Sequence, residues 1–279
     1  MKVLKTQNAL EIALSNVQKR QFNVGFVPTM GALHLGHIEL VKRSLFENEI
    51  TIVSIYVNPT QFDNPDDLKT YPVSIESDLE MLSAVGCDFV FLPSFIDMYP
   101  GNRPQLELDL KGLDSVLEGE YRSGHFSGVV AVVDRFFELI KPNRAYFGEK
   151  DFQQYLIIKE LATRQYPSLD IVPCEIVRNE KGLALSSRNV RLASEKQDLA
   201  LSLYHSLNLA NSKSNLKAVE VEELAVQFLK KQKGVEVEYF KIVDSDTLKP
   251  SRASDSHGLR AFVAAEIDGV RLIDNMRLK

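Results

Sequence analysis

Residues 1–177 alternate between short apolar stretches and amphipathic stretches of about ten to fifteen residues, and this alternation constrains the fold more than any other feature. The apolar stretches read as buried strands, because their nearly continuous apolar character is typical of strands covered on both faces. They are residues 25–29, 50–57, 88–92, 144–147 and 171–177. Strands that alternate with helices in this way indicate a Rossmann-type α/β fold, a doubly wound parallel sheet with helices on both faces.

The pattern changes after about residue 178. Two helical stretches follow, and then two stretches that alternate like strands of an antiparallel sheet; these are residues 195–211, 218–231, 235–243 and 259–267. We therefore predict a larger domain over residues 1–177 and a smaller C-terminal α+β domain over residues 178–279.

Charge and composition exclude several classes of protein. The 33 basic and 38 acidic residues give a net charge of −5, which disfavours a partner such as nucleic acid. No apolar run approaches the roughly 20 residues that span a bilayer, so we expect no membrane partner. Cys87 and Cys174 lie far apart and form no CxxC pair. They favour buried thiols in a reducing compartment, and we predict a cytoplasmic protein.

The first chemical motif joins the strand at 25–29 to the following helix, and it reads PTMGALHLGH over residues 28–37. A helix N-terminus after a parallel strand is a favourable place for a phosphate, and glycines let the backbone approach it. His34 and His37 would share one face of the first helical turn. Two histidines that merely cap the helix are the alternative. His37-Ile38 stands where a P-loop needs Lys-Ser/Thr, and no HExxH motif indicates a metal site.

Two further polar clusters follow predicted strands. GEKDFQQ over residues 148–154 places Lys150 where a compact positive charge could meet a phosphate or carboxylate, although a solvated turn would look the same. RNEKGLALSSRNVR over residues 178–191 collects four basic side chains and two adjacent hydroxyls. Such a loop can bind a triphosphate, and a solvent-exposed linker is the alternative.

The sequence resembles the pantothenate synthetase (pantoate–β-alanine ligase) family. The resemblance rests on PTMGALHLGH, NPTQF, LEGEYRSGHFSGV, YFGEKDFQQ, GLALSSRN and the closing RLIDNMRL, in the family's order and spacing. The first and fifth also resemble the HIGH and KMSKS elements of a wider nucleotidyltransferase superfamily. Another HIGH-motif adenylyltransferase acting on a different acceptor is therefore the alternative function, and NPTQF and GEKDFQQ argue against it.

The resemblance implies an AMP-forming ligase that makes a C–N (amide) bond. Pantoate would attack ATP to give pantoyl adenylate and pyrophosphate, and β-alanine would then displace AMP. Mg²⁺ would bridge triphosphate oxygens, with no metal ligand assigned among the protein side chains. A homodimer is also implied. Because acyl adenylates hydrolyse readily, we expect residues 178–279 to act as a lid.

The resemblance also assigns residues. His37, His34 and Lys150 would be catalytic, and Gln61 and Gln154 would bind pantoate, with Gln61 also near β-alanine. The ATP-binding residues would be Met30, Gly31, Ala32, Leu33, His34, Leu35, Gly36, His37, Gly148, Glu149, Lys150, Asp151, Val177, Leu185, Ser186, Ser187 and Arg188. Two departures, Val73 for a common Arg and Ser123 for a common Pro, concern loop geometry more than activity.

Overall fold

The computed structural model describes residues 1–101, 108–213, 216–250 and 258–279, and the chain in it divides into two compact units. The first unit comprises Met1–Glu149 and Gln154–Glu175, and the second comprises Lys150–Gln153 and Ile176–Lys279. No helix in the described part of the chain is long and apolar enough to cross a membrane.

A six-stranded parallel sheet forms the centre of the first unit. Its strands are β1 (Lys2–Leu4), β2 (Val24–Thr29), β3 (Ile50–Ile55), β4 (Phe89–Phe91), β5 (Arg144–Gly148) and β6 (Asp170–Cys174). They lie in the order β1-β4-β3-β2-β5-β6, and every neighbouring pair is parallel. The order reverses at β2, which makes the gap between the ends of β2 and β5 the topological switch point where open α/β sheets bind ligands.

Helices cover both faces of this sheet. They are α1 (Gln7–Lys19), α2 (Leu35–Glu47), α3 (Pro65–Thr70), α4 (Ile75–Ala84), α5 (Phe95–Met98), α6 (Glu118–Tyr121), α7 (His125–Ile140) and α8 (Phe152–Gln165). Successive residues of β2 point to opposite faces. Phe26 therefore contacts Phe136 of α7, with ring centroids 5.4 Å apart, whereas Val27 packs in the cluster that contains Val41 of α2.

The second unit contains α9 (Ser194–Asn211), α10 (Ala218–Lys230), β7 (Val235–Asp244), β8 (Leu259–Ile267) and β9 (Val270–Arg277). The strands form an antiparallel sheet in the order β7-β8-β9. Apolar residues of both helices pack against the sheet, among them Leu203, Leu207 and Val221 against Val263. The predicted fold class, a Rossmann-type α/β sheet followed by a smaller α+β part, is confirmed.

Some predicted boundaries differ from the structure. The strand expected over residues 171–177 ends at Cys174, and β1 was not predicted. The sequence also indicates a loop from Gly119 to Gly128, but α6 lies within it and α7 already begins at His125. Gly124 precedes α7 with φ of 75°, a left-handed conformation that glycine adopts without strain, so the chain turns directly from one helix into the next.

Candidate active site

The loop between β2 and α2 is held by a buried carboxylate from α4. Gly31 and Ala32 have φ values of 82° and 48°, so the backbone turns sharply where it leaves the strand. The main-chain N–H groups of Ala32 and Leu33 donate to the two oxygens of Asp78, at 2.9 and 2.7 Å. Asp78 is 1% exposed, and the Ser74 hydroxyl lies 3.0 Å from it. The carboxylate thus fixes a conformation that the loop sequence alone would not maintain.

His34 and His37 lie together at the start of α2, as the sequence predicts. His34 is the N-cap residue, and its Nδ1 accepts from the N–H of Gly36 at 3.1 Å. The Nδ1 of His37 accepts from the N–H of His34 at 3.3 Å, and the two ring centroids are 4.1 Å apart. Because each Nδ1 accepts, each neutral ring carries its proton on Nε2. The two main-chain contacts therefore set the tautomer of both rings at this helix terminus.

Gln61 lies beside Met30, with its Nε2 3.3 Å from the Met30 sulfur. It ends a short 3₁₀ turn, Pro59–Gln61, and its side chain is buried. Asn58 donates from Nδ2 to Gln61 Oε1 at 3.1 Å and to the Gly128 carbonyl at 3.0 Å. The amide of Gln61 consequently has one orientation, with Nε2 directed to Met30.

The main chain of Gln61 is held from the start of α7. His125 Nδ1 lies 2.7 Å from the carbonyl oxygen of Gln61, and its Nε2 lies 3.1 Å from Nη1 of Arg122. Because a guanidinium only donates, Nε2 accepts and Nδ1–H donates to the carbonyl. Asp63 and Glu118 lie 3.7 and 3.8 Å from the Arg122 guanidinium. Arg122 therefore orients the His125 ring, and that ring holds the main-chain carbonyl of Gln61.

The segment after β5 supplies the next predicted residues. Gly148 ends the strand, Glu149–Asp151 forms a 3₁₀ turn, and α8 follows. Lys150 is largely buried, and its Nζ lies 3.9 Å from Asp151 Oδ2. Gln154, half-buried in the first turn of α8, belongs to the first unit with Gly148 and Glu149.

Residues 178–191 of the second unit form a basic loop that is held by hydrogen bonds among its own residues and Val177. Leu185 donates from its main-chain N–H to the carbonyl of Val177 at 2.9 Å. Ser186 caps the 3₁₀ turn Ser187–Arg191, because its hydroxyl accepts from the N–H of Arg188 at 3.2 Å. Lys150 and Ser186 line the same small cleft, which Asp274 also lines. The structure thus brings a predicted lysine and a predicted serine together within this unit.

Several supporting residues were not predicted from the sequence. Asn58 and His125 lie inside quoted motifs but were not selected, and Asp78 lies outside every motif. Asp78 was recognisable only as a carboxylate on the inward face of the helix at 75–84, where a buried charge needs a partner.

Both cysteines are buried and have no disulfide. Burial raises the pKa of Cys87 to about 12 and also raises the pKa of Cys174.

Comparison with known proteins gives a consistent result over the whole chain. The sequence profile of the family described as pantoate-beta-alanine ligase matches residues 2–277. The chain is 42% identical to the pantothenate synthetase of Cytophaga hutchinsonii, over 96% of this chain and 95% of that protein. It is 43% identical to the pantothenate synthetase of Bacteroides fragilis, over 100% and 99%.

Solved structures agree with the sequence comparison. The crystal structure of pantothenate synthetase from Thermus thermophilus matches with a TM-score of 0.90 and 38% identity, over 99% of both chains. The pantoate-beta-alanine ligase of Francisella tularensis, complexed with beta-gamma ATP and beta-alanine, matches with a TM-score of 0.83 and 38% identity. That match covers 99% of this chain and 97% of the other.

Proposed function

The chain belongs to the pantoate-beta-alanine ligase family, and from that premise we propose how its residues join pantoate to β-alanine with ATP. The activity is an ATP-dependent ligation that forms an amide bond. We propose that it proceeds in two steps. The pantoate carboxylate attacks the α-phosphorus of ATP and expels pyrophosphate, and the amine of β-alanine then attacks the acyl carbon and expels AMP.

The paired histidines of α2 carry this proposal. Negative charge accumulates on the phosphate oxygens during the first step, and donors already in place stabilise it without reorganisation. His37 and His34 accept main-chain N–H groups at Nδ1, so a neutral ring carries its proton on Nε2. We assign His37 to the α-phosphate as proton donor and His34 to the triphosphate, with residues Met30–His37 holding the nucleotide.

Gln61 and Gln154 are the proposed pantoate ligands. Pantoate has a carboxylate and hydroxyl groups, which an amide can both donate to and accept from. The Asn58 bond to Gln61 Oε1 supports the assignment, since an amide of fixed orientation can hold the attacking carboxylate close to the α-phosphorus. The proposed position of β-alanine is also near Gln61.

The remaining nucleotide contacts are assigned to two segments. We propose that Gly148, Glu149, Lys150 and Asp151 bind ATP together with Val177, Leu185, Ser186, Ser187 and Arg188. Lysine and arginine neutralise phosphate charge, and serine hydroxyls and main-chain N–H groups donate to phosphate oxygens. Lys150 and Ser186 line the same small cleft, so the two segments lie side by side within their unit.

Magnesium enters this scheme with the nucleotide. In the described ranges, no three His, Cys, Asp or Glu side chains converge to hold a metal ion. Mg²⁺ commonly keeps few protein ligands and uses substrate phosphates instead, so this chain fits an ion carried by the triphosphate, where it would neutralise charge.

The homodimer, the cytoplasmic location and the lid role of residues 178–279 stay predictions. Protection of residues 178–191 from proteolysis by ATP and pantoate would test the lid.

His37→Ala tests the proposed first step. Formation of pantoyl adenylate in a single turnover should slow by about a hundredfold, the usual effect of removing one such donor. Loss of the N-terminal cap contacts costs about 1 kcal/mol, so the variant should remain folded. His205→Ala is the matched control, because His205 is exposed on α9. A folded His37→Ala enzyme with the wild-type adenylation rate would contradict the assignment.

A further inference from the structure

Two buried polar residues in the last strand have no part in the ligation as described so far. Asp274 and Asn275 lie next to each other in β9, and they are 4% and 1% exposed. Buried polar side chains are destabilising unless hydrogen bonds compensate for the lost hydration, so their partners indicate what they are for. Asn275 contacts Lys150, and Asp274 contacts Arg178 at the start of the basic loop.

Asn275 holds the main chain of Lys150. Its Nδ2 donates to the Lys150 carbonyl oxygen at 2.9 Å, across 125 positions of sequence. On the other side of the amide, Nη1 of Arg260 donates to Oδ1 of Asn275 at 2.6 Å. Because a guanidinium has no acceptor, it determines which end of the amide is oxygen. Arg260 therefore directs the Nδ2 donor of Asn275 to Lys150.

Arg260 also holds the segment two residues further on. Its guanidinium carbon lies 3.6 Å from the centroid of the Phe152 ring, a cation–π contact, and Arg260 is itself 6% exposed. The 3₁₀ turn that contains Lys150 is thus held at the carbonyl of Lys150, and the chain directly after it is held at the ring of Phe152, the first residue of α8. A three-residue turn has little stability of its own, so these contacts decide where the lysine stem begins.

Asp274 holds the basic loop in a similar way. Its two oxygens accept from Nη1 and Nη2 of Arg178, at 2.6 and 2.9 Å, a bidentate pair that fixes the guanidinium plane. Arg178 also donates to the carbonyls of Gly182 and Asn275, at 3.0 and 3.2 Å. One dipeptide of β9 therefore contacts the turn of Lys150 and the first residue of the loop that carries Ser186.

We propose that Asn275 is a positioning residue for the adenylation step, which acts by fixing the main chain of Lys150 so that its ammonium group meets the phosphates of ATP. The proposal rests on the ATP-binding role assigned to Lys150 above. It explains why an amide is buried in this strand with both of its ends hydrogen-bonded. Lysine is a point charge on a flexible stem, so its placement depends on where its backbone is held.

A double-mutant cycle with Lys150 tests the proposal. Asn275→Ala should lower the single-turnover adenylation rate at saturating ATP and pantoate by about tenfold to a hundredfold, as misplaced catalytic groups do. If Asn275 acts through Lys150, the same substitution in a Lys150→Ala background should change the rate less than about twofold. Equal fold losses in the two backgrounds would overturn the proposal.

Asn275→Asp separates positioning from anchoring of Arg260. An aspartate keeps an acceptor for Arg260 but presents oxygen, instead of N–H, to the Lys150 carbonyl. We expect this variant to melt earlier than the wild type, because the buried Lys150 carbonyl loses its donor, but to be folded at the assay temperature and to lose adenylation as Asn275→Ala does. Wild-type adenylation by folded Asn275→Asp would overturn the proposal.

Arg271→Gln is the control for general damage to the small sheet. Arg271 lies in the same strand and pairs with Glu238 of β7, away from Lys150. This variant should lower the Tm modestly and leave the adenylation rate unchanged. A loss of adenylation equal to that of Asn275→Ala would overturn the proposal, since sheet damage alone would then account for the effect. Failure of the proposed function looks different: the wild type would release no pantoate-dependent pyrophosphate, and the proposal would fall with it.

Discussion

Asp78→Asn is the substitution that most directly tests how the β2–α2 loop is built. The carboxylate of Asp78 accepts from two main-chain N–H groups, those of Ala32 and Leu33, and is 1% exposed. An asparagine has nearly the same volume but one acceptor oxygen, so its NH₂ group would face one of these donors. One buried N–H would then lose its partner in a loop whose Gly31 and Ala32 are already in left-handed conformations.

The magnitude follows from these contacts. A hydrogen bond to a charged group contributes about 1.5–3 kcal/mol, so we expect a loss of stability of about 2 kcal/mol. In a unit of this size, that corresponds to a fall in Tm of about 4–8 °C. Because the same loop leads into His34 and His37, the adenylation rate should also fall by about tenfold at a temperature where the variant is fully folded.

The assay combines thermal melting with single-turnover formation of pantoyl adenylate. Glu76→Gln is the matched control, because it removes an exposed carboxylate from the first turn of the same helix. That control should leave both Tm and rate within error of the wild type. The reasoning is refuted if Asp78→Asn melts like the wild type, or if it melts earlier but adenylates at the wild-type rate.

Three further substitutions or treatments have definite expected outcomes. Gly128→Ala should lower the Tm, because the new Cβ would lie 2.4 Å from the carbonyl oxygen of Thr60. Alanine favours helices over glycine by about 1 kcal/mol, so a variant without this clash would be more stable, and a raised Tm would contradict the prediction. Gln61→Ala should raise the KM for pantoate more than that for ATP, and a selective ATP defect in steady-state kinetics would give Gln61 another role. Cys87 and Cys174, whose thiol pKa values burial raises, should resist a thiol reagent at pH 8 in the native protein and react in denaturant; rapid native labelling would contradict their burial.

Long elements with one dominant pattern were predictable from the sequence. The apolar run over residues 50–57 contains β3, and residues 128–140, whose apolar spacing in the sequence is helical, lie within α7. β1 was missed because it has three residues and only Leu4 is buried, so neither length nor alternation marks it. Short strands at a sheet edge depend on the neighbour with which they pair, here β4, and that neighbour lies far away in the sequence.

The residues of the candidate site also fall into two groups, those that a local motif marks and those that only the fold reveals. His34, His37 and Gln61 are recognisable because their motifs are local. The residues that orient them or their neighbours act across long separations: Asp78 contacts a loop 46 positions away, and Asn275 contacts Lys150 across 125 positions. A single sequence contains no periodicity that records such pairs, so they became visible only with the fold.

Pyrophosphate release by the purified protein reports directly on the two-step ligation. With ATP and Mg²⁺, we expect release to depend on pantoate and to stop after about one equivalent. Addition of β-alanine should then produce sustained turnover, with AMP and an amide product formed in equal amounts. Release that does not need pantoate, or that β-alanine leaves unchanged, would contradict the two-step ligation.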